Sequence, residues 1–200
     1  MVVATRNPGK LAELRAMLAT VGLEPVDLAA AGIPEDPKEE ALEAFDTFEE
    51  NALAKARHFH ALAGGAPVIA DDSGLAVAAL RGAPGVRSKR YSVPGPGESQ
   101  TAANNAALLR ALESAADRTA RFVCVVAYVG GGRELTCRGE TAGRIASAPR
   151  GSGGFGYDPL FESDELGLTF AQASAEAKAW VGHRGRAFRA LVAELGRGGR

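Results

Sequence analysis

The chain has 200 residues, 46% of them hydrophobic and 24% charged, and its 23 Lys and Arg nearly cancel 24 Asp and Glu to leave a formal net charge of -1. That length can bury a core without disulfide or metal staples, and that composition excludes a disordered or low-complexity chain. The near-neutral balance excludes the overall basic footprint of a nucleic-acid binder, while a local cationic pocket stays open.

Residues 1–5 form a short valine-rich run, and Asn7-Pro8-Gly9 then leads into a helical pattern with Leu11, Leu14, Leu18 and Val21 on one face. This predicts strand, loop and helix. The sequence MVVATRNPGK reads as neither signal peptide nor membrane span. A weak strand is expected at 23–28, and Pro34 and Pro37 mark a loop. From about 40 to 62, Phe45, Phe48, Ala52, Ala56 and Phe59 recur at helical spacing, and Glu43, Thr47, Asn51 and Lys55 form a polar ladder with a four-residue step. At about 3.6 residues per turn that ladder drifts, so Lys55 is expected beside the buried face and Glu43 well away from it.

Residues 67–70 predict a second strand that ends in Asp71 and Asp72, and the segment from Gly82 to Gly85 breaks the chain. A helix is expected at 100–115, then two strands at 119–129 and 134–140 joined by Gly130, Gly131 and Gly132 as a hairpin. Further helices are expected at 171–180 and 184–195, the last with Phe188, Leu191, Val192 and Leu195 inward, and the terminal GRGGR reads as a frayed tail. Cys124 and Cys137 are too few and too widely spaced for a zinc site or a disulfide framework; both are expected to be core residues of a cytosolic protein. No repeat and no long linker interrupts the chain. One domain over 1–200, of α/β class with a mixed sheet, is the expected architecture.

Four segments carry chemistry, each beside a plainer reading. ADDSGL at 70–75 sets two carboxylates side by side, which calls for a cation, or else forms a solvated turn. TRNPGK at 5–10 links strand to helix, where backbone N–H groups and Lys10 favour an anion, although such turns are also common without a ligand. It is not a Walker A loop, because Ala4 and Leu11 replace the first glycine and the Ser or Thr. GSGGFGYD at 151–158 contains G-x-G-x-x-G, but no strand enters it and Asp158-Pro159 follows where a helix should open. It reads as a glycine loop that presents Phe155 for stacking on a base or tucks it into the core. KAWVGHRG at 178–185 gathers Lys178, His183 and Arg184, three donors suited to an acceptor-rich ligand or simply to solvent. The common hydrolase elbow and zinc templates are absent from the sequence.

In order along the chain, T-x-N-x-x-K at Thr5, Asn7 and Lys10, TFEENALAKA at 47–56, ADDSGL at 70–75, GAPGVRSKRY at 82–91, GGFGYDP at 153–159, and Lys178 with His183, Arg184 and Gly185 resemble the inosine triphosphate pyrophosphatase family. The resemblance covers nearly the whole chain. It implies an elongated mixed sheet with flanking helices, two lobes around a central nucleotide-binding cleft, and a homodimer. It also implies Mg²⁺-dependent hydrolysis of ITP, dITP or XTP to the monophosphate and pyrophosphate. Catalytic roles would fall on Asp72, Asp71 and Lys55, and the metal on Glu43 and Asp72. The nucleotide would meet Thr5, Arg6, Asn7, Pro8, Gly9, Lys10 and Ser73, and its base Phe155, Gly156, Tyr157, Asp158, Lys178, His183 and Arg184. Arg6 and Asp46 stand where the family often has glycine. Donors from His183, Arg184 or loop N–H groups would welcome a keto oxygen at the purine six position and leave an amino group unpaired. A pyrophosphatase for modified pyrimidine nucleotides and a non-hydrolytic nucleotide sensor are the alternative functions; neither a nucleic-acid polymer nor a membrane is an expected partner, and the cytoplasm is the expected location.

Overall fold

The structure is a computed structural model that describes residues 1–197. The last three residues of the GRGGR segment lie outside it. Seven strands form one sheet in the order β2-β1-β3-β4-β5-β6-β7: β1 Val2–Ala4, β2 Val26–Asp27, β3 Val68–Val77, β4 Thr119–Gly130, β5 Arg133–Ile145, β6 Phe161–Ser163 and β7 Leu168–Thr169. β1 pairs in parallel with β2 and β3, whereas β6 pairs antiparallel with β5 and β7, so the sheet is mixed as the sequence implied. Among the described residues five α-helices accompany it: α1 Pro8–Ala19, α2 Phe48–Leu62, α3 Gln100–Ala111, α4 Ala175–Val181 and α5 His183–Arg197.

The chain divides into two compact units, one holding residues 1–72, 124–139 and 184 onward, the other 73–123 and 140–183. In the first, β1 and the N-terminal half of β3 are buried without a break, the pattern of central parallel strands covered on both faces. Leu14 and Leu18 of α1 and Ala52, Ala56 and Phe59 of α2 are buried here. In the second, the core gathers Leu75, Leu108, Phe122, Leu160, Phe161 and Phe170, with the Phe122 and Phe161 ring centroids 4.6 Å apart.

Three sequence expectations are corrected. β3 does not stop at the aspartates but runs on to Val77, because both carboxylates are partnered and the ladder can continue through them. The helix expected from about 40 to 62 is broken: a 3-10 turn, Pro37–Glu43, stops short, and α2 starts afresh at Phe48 behind the Thr47 N-cap, whose side chain accepts from the Glu50 N–H. Phe45 falls in the break and is 45% exposed rather than part of the buried stripe. Cys137 is only half-buried, unlike the fully buried Cys124, because it lies on the alternating, partly exposed half of β5.

The β4–β5 turn is made by Gly131 and Gly132 at φ 57° and 72°, the left-handed pair that a tight two-residue hairpin requires. Gly74 in β3 meets a different constraint: a Cβ there would sit 2.2 Å from the Gly85 carbonyl oxygen and 2.6 Å from the Ser88 Oγ. Ser88 is fixed, donating to Gly85 and accepting from the Leu75 N–H. We expect Gly74→Ala to destabilise the protein by ~1–3 kcal/mol through overpacking, read from the urea midpoint; an unchanged midpoint would contradict the close approach.

Candidate active site

The tandem acids sit on neighbouring positions of β3, and successive strand side chains point to opposite faces. Alternation gives each carboxylate its own surroundings. Asp71, 1% exposed, meets the cations of α1 and α5: its Oδ2 lies 3.1 Å from Lys10 Nζ and accepts from Arg184 Nε at 3.2 Å. The Cys124 thiol, 3.8 Å away, donates to the same oxygen. Burial pushes that thiol up, which keeps it protonated. Burial also opposes ionisation of Asp71, yet Lys10, Arg184 and Lys55 outweigh it and hold the carboxyl well below the usual carboxylate range. Arg184 is anchored a second time by Glu13, one turn along α1 from Lys10.

Asp72, 5% exposed, belongs to the α2 face. Its Oδ2 accepts from Asn51 Nδ2 at 3.0 Å, and its Oδ1 lies 3.8 Å from Lys55 Nζ. Here burial prevails over Lys55 and Lys10, so the carboxyl is raised and Asp72 is the more basic of the two. Paired acids whose environments push them apart are the usual arrangement of a structural anion beside a proton acceptor. Lys55 itself is buried, which disfavours its charge, but Asp72, Glu43 and Asp71 together raise it, so it stays protonated.

Glu43 reaches Lys55 because the helix breaks. In a continuous helix these residues, twelve apart, would be about 18 Å from one another along the axis; the turn at 44–47 folds the segment back and sets Glu43 Oε1 2.9 Å from Lys55 Nζ. Asn51 holds that turn, accepting from the Phe45 N–H at 3.0 Å and donating to the Phe45 carbonyl at 3.1 Å while it also serves Asp72. Two carboxylate oxygens therefore converge on one ammonium. Among the described residues no set of three His, Cys, Asp or Glu gathers to hold a metal. A pair of carboxylates is the share that a protein commonly gives Mg²⁺, the rest coming from phosphate oxygens and water.

At 5–10, Asn7 caps α1 by accepting from the Lys10 N–H at 3.0 Å, Pro8 opens the helix, and Thr5 Oγ1 accepts from the Asn7 N–H. Lys10 turns inward to Asp71, while Arg6 turns to Glu39, with its Nη2 2.7 Å from Oε1. In the second unit, Asp158 Oδ2 accepts from Lys178 Nζ at 2.5 Å and from the Phe155 N–H at 2.8 Å, and Lys178 lies 4.7 Å from the Phe155 ring centroid. Phe155 is half-buried. The loop needs glycine at 154, where φ is +70° and a Cβ would fall 2.0 Å from Asp158 Oδ2. Tyr157 is buried and donates to the Ser88 carbonyl; Asn105 of α3 donates to the Gly156 carbonyl. His183 stacks on Phe122 with centroids 4.6 Å apart, and Ser73 is half-buried at the start of this unit.

The sequence reading thus named Asp71, Asp72, Lys10, Lys55, Glu43 and Arg184, which the first unit brings together, and Phe155, Asp158 and Lys178, which the second does. It missed Asn51, Glu13 and Asn105. Asn51 stood in the polar ladder one step before Lys55, and the drift that buries Lys55 buries it too; Glu13, three residues after Lys10, carries no sequence signal that marks it as a partner of Arg184.

A match to the Ham1 family runs over residues 1–194. This chain belongs to the Ham1 family. A dITP/XTP pyrophosphatase of Ralstonia nicotianae is 48% identical over 198 residues, 98% of this chain and 96% of that one. Another, of Nocardia farcinica, is 50% identical over 199 residues, covering 98% and 94%. Among solved structures, a HAM1 protein from Coxiella burnetii superposes with a TM-score of 0.82 at 38% identity and 98% coverage of both chains. The Ham1 protein of Staphylococcus aureus gives 0.81 at 37%, covering 97% and 96%. The mixed α/β architecture is therefore that of Ham1 proteins.

Removing the Asp71 charge would leave Arg184 and Lys10 facing each other without their shared anion. Asp71→Asn is expected to cost about 3–5 kcal/mol of stability at neutral pH. Since the native carboxyl is depressed, its contribution is full above the unfolded value of ~3.9 and fades as pH falls below it. Urea unfolding from pH 7 to pH 3 should show the gap between wild type and variant narrowing at the acid end; a constant gap would contradict the assignment.

Proposed function

We propose that this protein hydrolyses dITP, XTP and ITP to the nucleoside monophosphate and pyrophosphate in a Mg²⁺-dependent reaction, removing altered purines from the nucleotide pool. The observation that carries the reading is the buried pair Asp71 and Asp72 set among Lys10, Lys55 and Glu43, in a chain 48% identical to a protein named for dITP and XTP. A site built only to bind a polyanion gains nothing from three carboxylates. With a divalent cation they become useful.

In this reading Glu43 and Asp72 would hold Mg²⁺, which would supply positive charge to screen the triphosphate and polarise its phosphoryl oxygens. Asp72, the more basic acid, accepts the proton of the attacking water, whose oxygen bonds to the α-phosphorus as the bond to the bridging oxygen breaks and its electron pair leaves with pyrophosphate. Lys55 and Lys10 stabilise the charge that develops on the leaving group. Asp71 stays ionised and keeps Lys10 and Arg184 in place. Thr5, Asn7, Pro8 and Gly9 would present the start of α1 to the phosphates, and Ser73, the residue after Asp72, would also meet the nucleotide.

Phe155 would stack on the purine, worth roughly 1–3 kcal/mol, with Gly156, Tyr157 and Asp158 shaping its loop. Lys178 and His183 are the donor-bearing candidates for the keto oxygen at the six position. Arg184, paired with Asp71 and Glu13 and 2% exposed, is better suited to positioning Asp71 than to reading a base. Among the described residues no helix is long and apolar enough to cross a membrane. A cytoplasmic homodimer is the form in which we propose it works.

Pyrophosphate release from dITP, XTP, ATP and modified pyrimidine triphosphates, with and without Mg²⁺, tests the assignment. Rates on dITP and XTP should exceed those on the others and need the metal; equal rates on dITP and ATP would overturn it. Asp72→Asn should lower kcat by on the order of 10²–10⁴-fold, the range of lost acid–base catalysis, with nucleotide binding still measurable by calorimetry. An unaltered kcat would remove Asp72 from the mechanism.

A further inference from the structure

The loop at 5–10 carries a side chain that the proposed reaction does not use. Arg6 sits inside that loop, yet its guanidinium is directed at the segment ahead of Glu43. Nε donates to Glu39 Oε2 at 3.0 Å and Nη2 to Oε1 at 2.7 Å, a two-pronged pairing that fixes angle as well as distance. Nη1 also donates to the Ile33 carbonyl at 3.2 Å and Nη2 to the Pro34 carbonyl at 2.8 Å. The guanidinium carbon lies 5.9 Å from the Phe59 ring centroid of α2. Side-chain exposures of 26% for Arg6 and 14% for Glu39 put the pair largely out of solvent, where it is screened less than a surface bridge.

Glu39 is itself built in. It is the third residue of the 3-10 turn Pro37–Glu43, and it accepts from the Asp36 N–H while Asp36 caps the turn. Glu43 closes the same turn and places its carboxylate on Lys55. So a single cation fixes both ends of the approach: two carbonyls before the turn and an acid within it. Beyond Glu43 the chain is clamped by Asn51.

We propose that Arg6 and Glu39 form a positioning clasp that ties the phosphate loop to the turn bearing Glu43, and so sets where Glu43 stands for the metal. The proposal rests on the assignment of Glu43 to Mg²⁺ made above. Arg6 acts through Glu39 and need not touch substrate. A lysine could not replace it, since a point charge cannot hold two carboxylate oxygens and two carbonyls at once.

The test uses Arg6→Ala, Arg6→Lys and Glu39→Gln in the full chain. With dITP saturating, the Mg²⁺ concentration for half-maximal rate should rise about tenfold or more in Arg6→Ala, the usual cost of losing an outer-shell partner of a metal ligand, while kcat at saturating Mg²⁺ falls much less. Arg6→Lys and Glu39→Gln should fall between, and Arg6→Ala combined with Glu39→Gln should be no worse than Arg6→Ala alone. Independently of activity, amide exchange without metal or nucleotide should quicken across 33–43 and stay unchanged across 48–62. Wild-type Mg²⁺ dependence together with wild-type exchange at 33–43 in both Arg6→Ala and Glu39→Gln would overturn the clasp. A uniform loss of stability with no change in Mg²⁺ dependence would reduce the pair to a structural bridge and also overturn it. If the wild type releases pyrophosphate from no purine triphosphate, the functional reading fails; the exchange measurement still reports on the clasp.

Discussion

The first unit depends on how a fully buried carboxylate is kept charged. Asp71 carries its charge at 1% exposure because Lys10 and Arg184 reach it from two different helices and Cys124 adds a neutral donor. The attraction alone does not make such a cluster stabilising, since all partners lost water to form it. Its consequence is geometric: with one buried anion shared by α1 and α5, neither cation can move away without leaving Asp71 short of a partner. Lys10, the cation at the start of α1, is thereby held at a defined place beside β3 before any ligand arrives, the preorganisation on which electrostatic catalysis relies.

Strand geometry then explains why a second acid can follow immediately. Were Asp71 and Asp72 on a turn, both charges would share one environment and one would be forced neutral. On β3 they diverge to opposite faces, where Lys10 with Arg184 and Lys55 with Asn51 receive them separately. The strand therefore has to continue past the acids, which it does as far as Val77. Gly74 permits that continuation by letting the Gly85 carbonyl come close where a side chain would collide.

Helices α1 to α5 and strands β1 to β5, with their order, were legible in the sequence because hydrophobic periodicity and Gly-Pro punctuation are local signals; the very short β6 and β7 were not expected. The apolar run at 67–70, the glycine hairpin and the stripe on the final helix all lie where expected. What was not legible came from partners distant in sequence. Charge at Asp71 and Asp72 looked like a strand end because the cations that cancel it come from residues 10, 55 and 184. The helix over 40–62 looked continuous because the ladder Glu43, Thr47, Asn51 and Lys55 keeps perfect step, although Thr47 is also a good N-cap. Cys137 looked like core because it sits in a strand-like run, but the first half of β5 alternates between half-buried and exposed positions and buries none of them. The same residues give Arg184 as a donor near a glycine; only the fold reveals that its guanidinium is already taken by Asp71 and Glu13.

That distinction bears on how the proposed reaction would discriminate among purines. A guanidinium pinned by two carboxylates at 2% exposure is raised far from neutrality and presents little to a ligand. In the proposed reading, the base would be met by groups whose polarity is set within the second unit. There Asp158 neutralises Lys178 while it fixes the Phe155 N–H, so one carboxylate settles both the position of the ammonium and the conformation of the aromatic loop. An ammonium fixed in place favours a keto oxygen over an amino group by direction as well as by charge. A freely rotating lysine would welcome the former without penalising the latter. In the proposed reading, selectivity would thus be a property of the Asp158–Lys178 pair rather than of either residue alone.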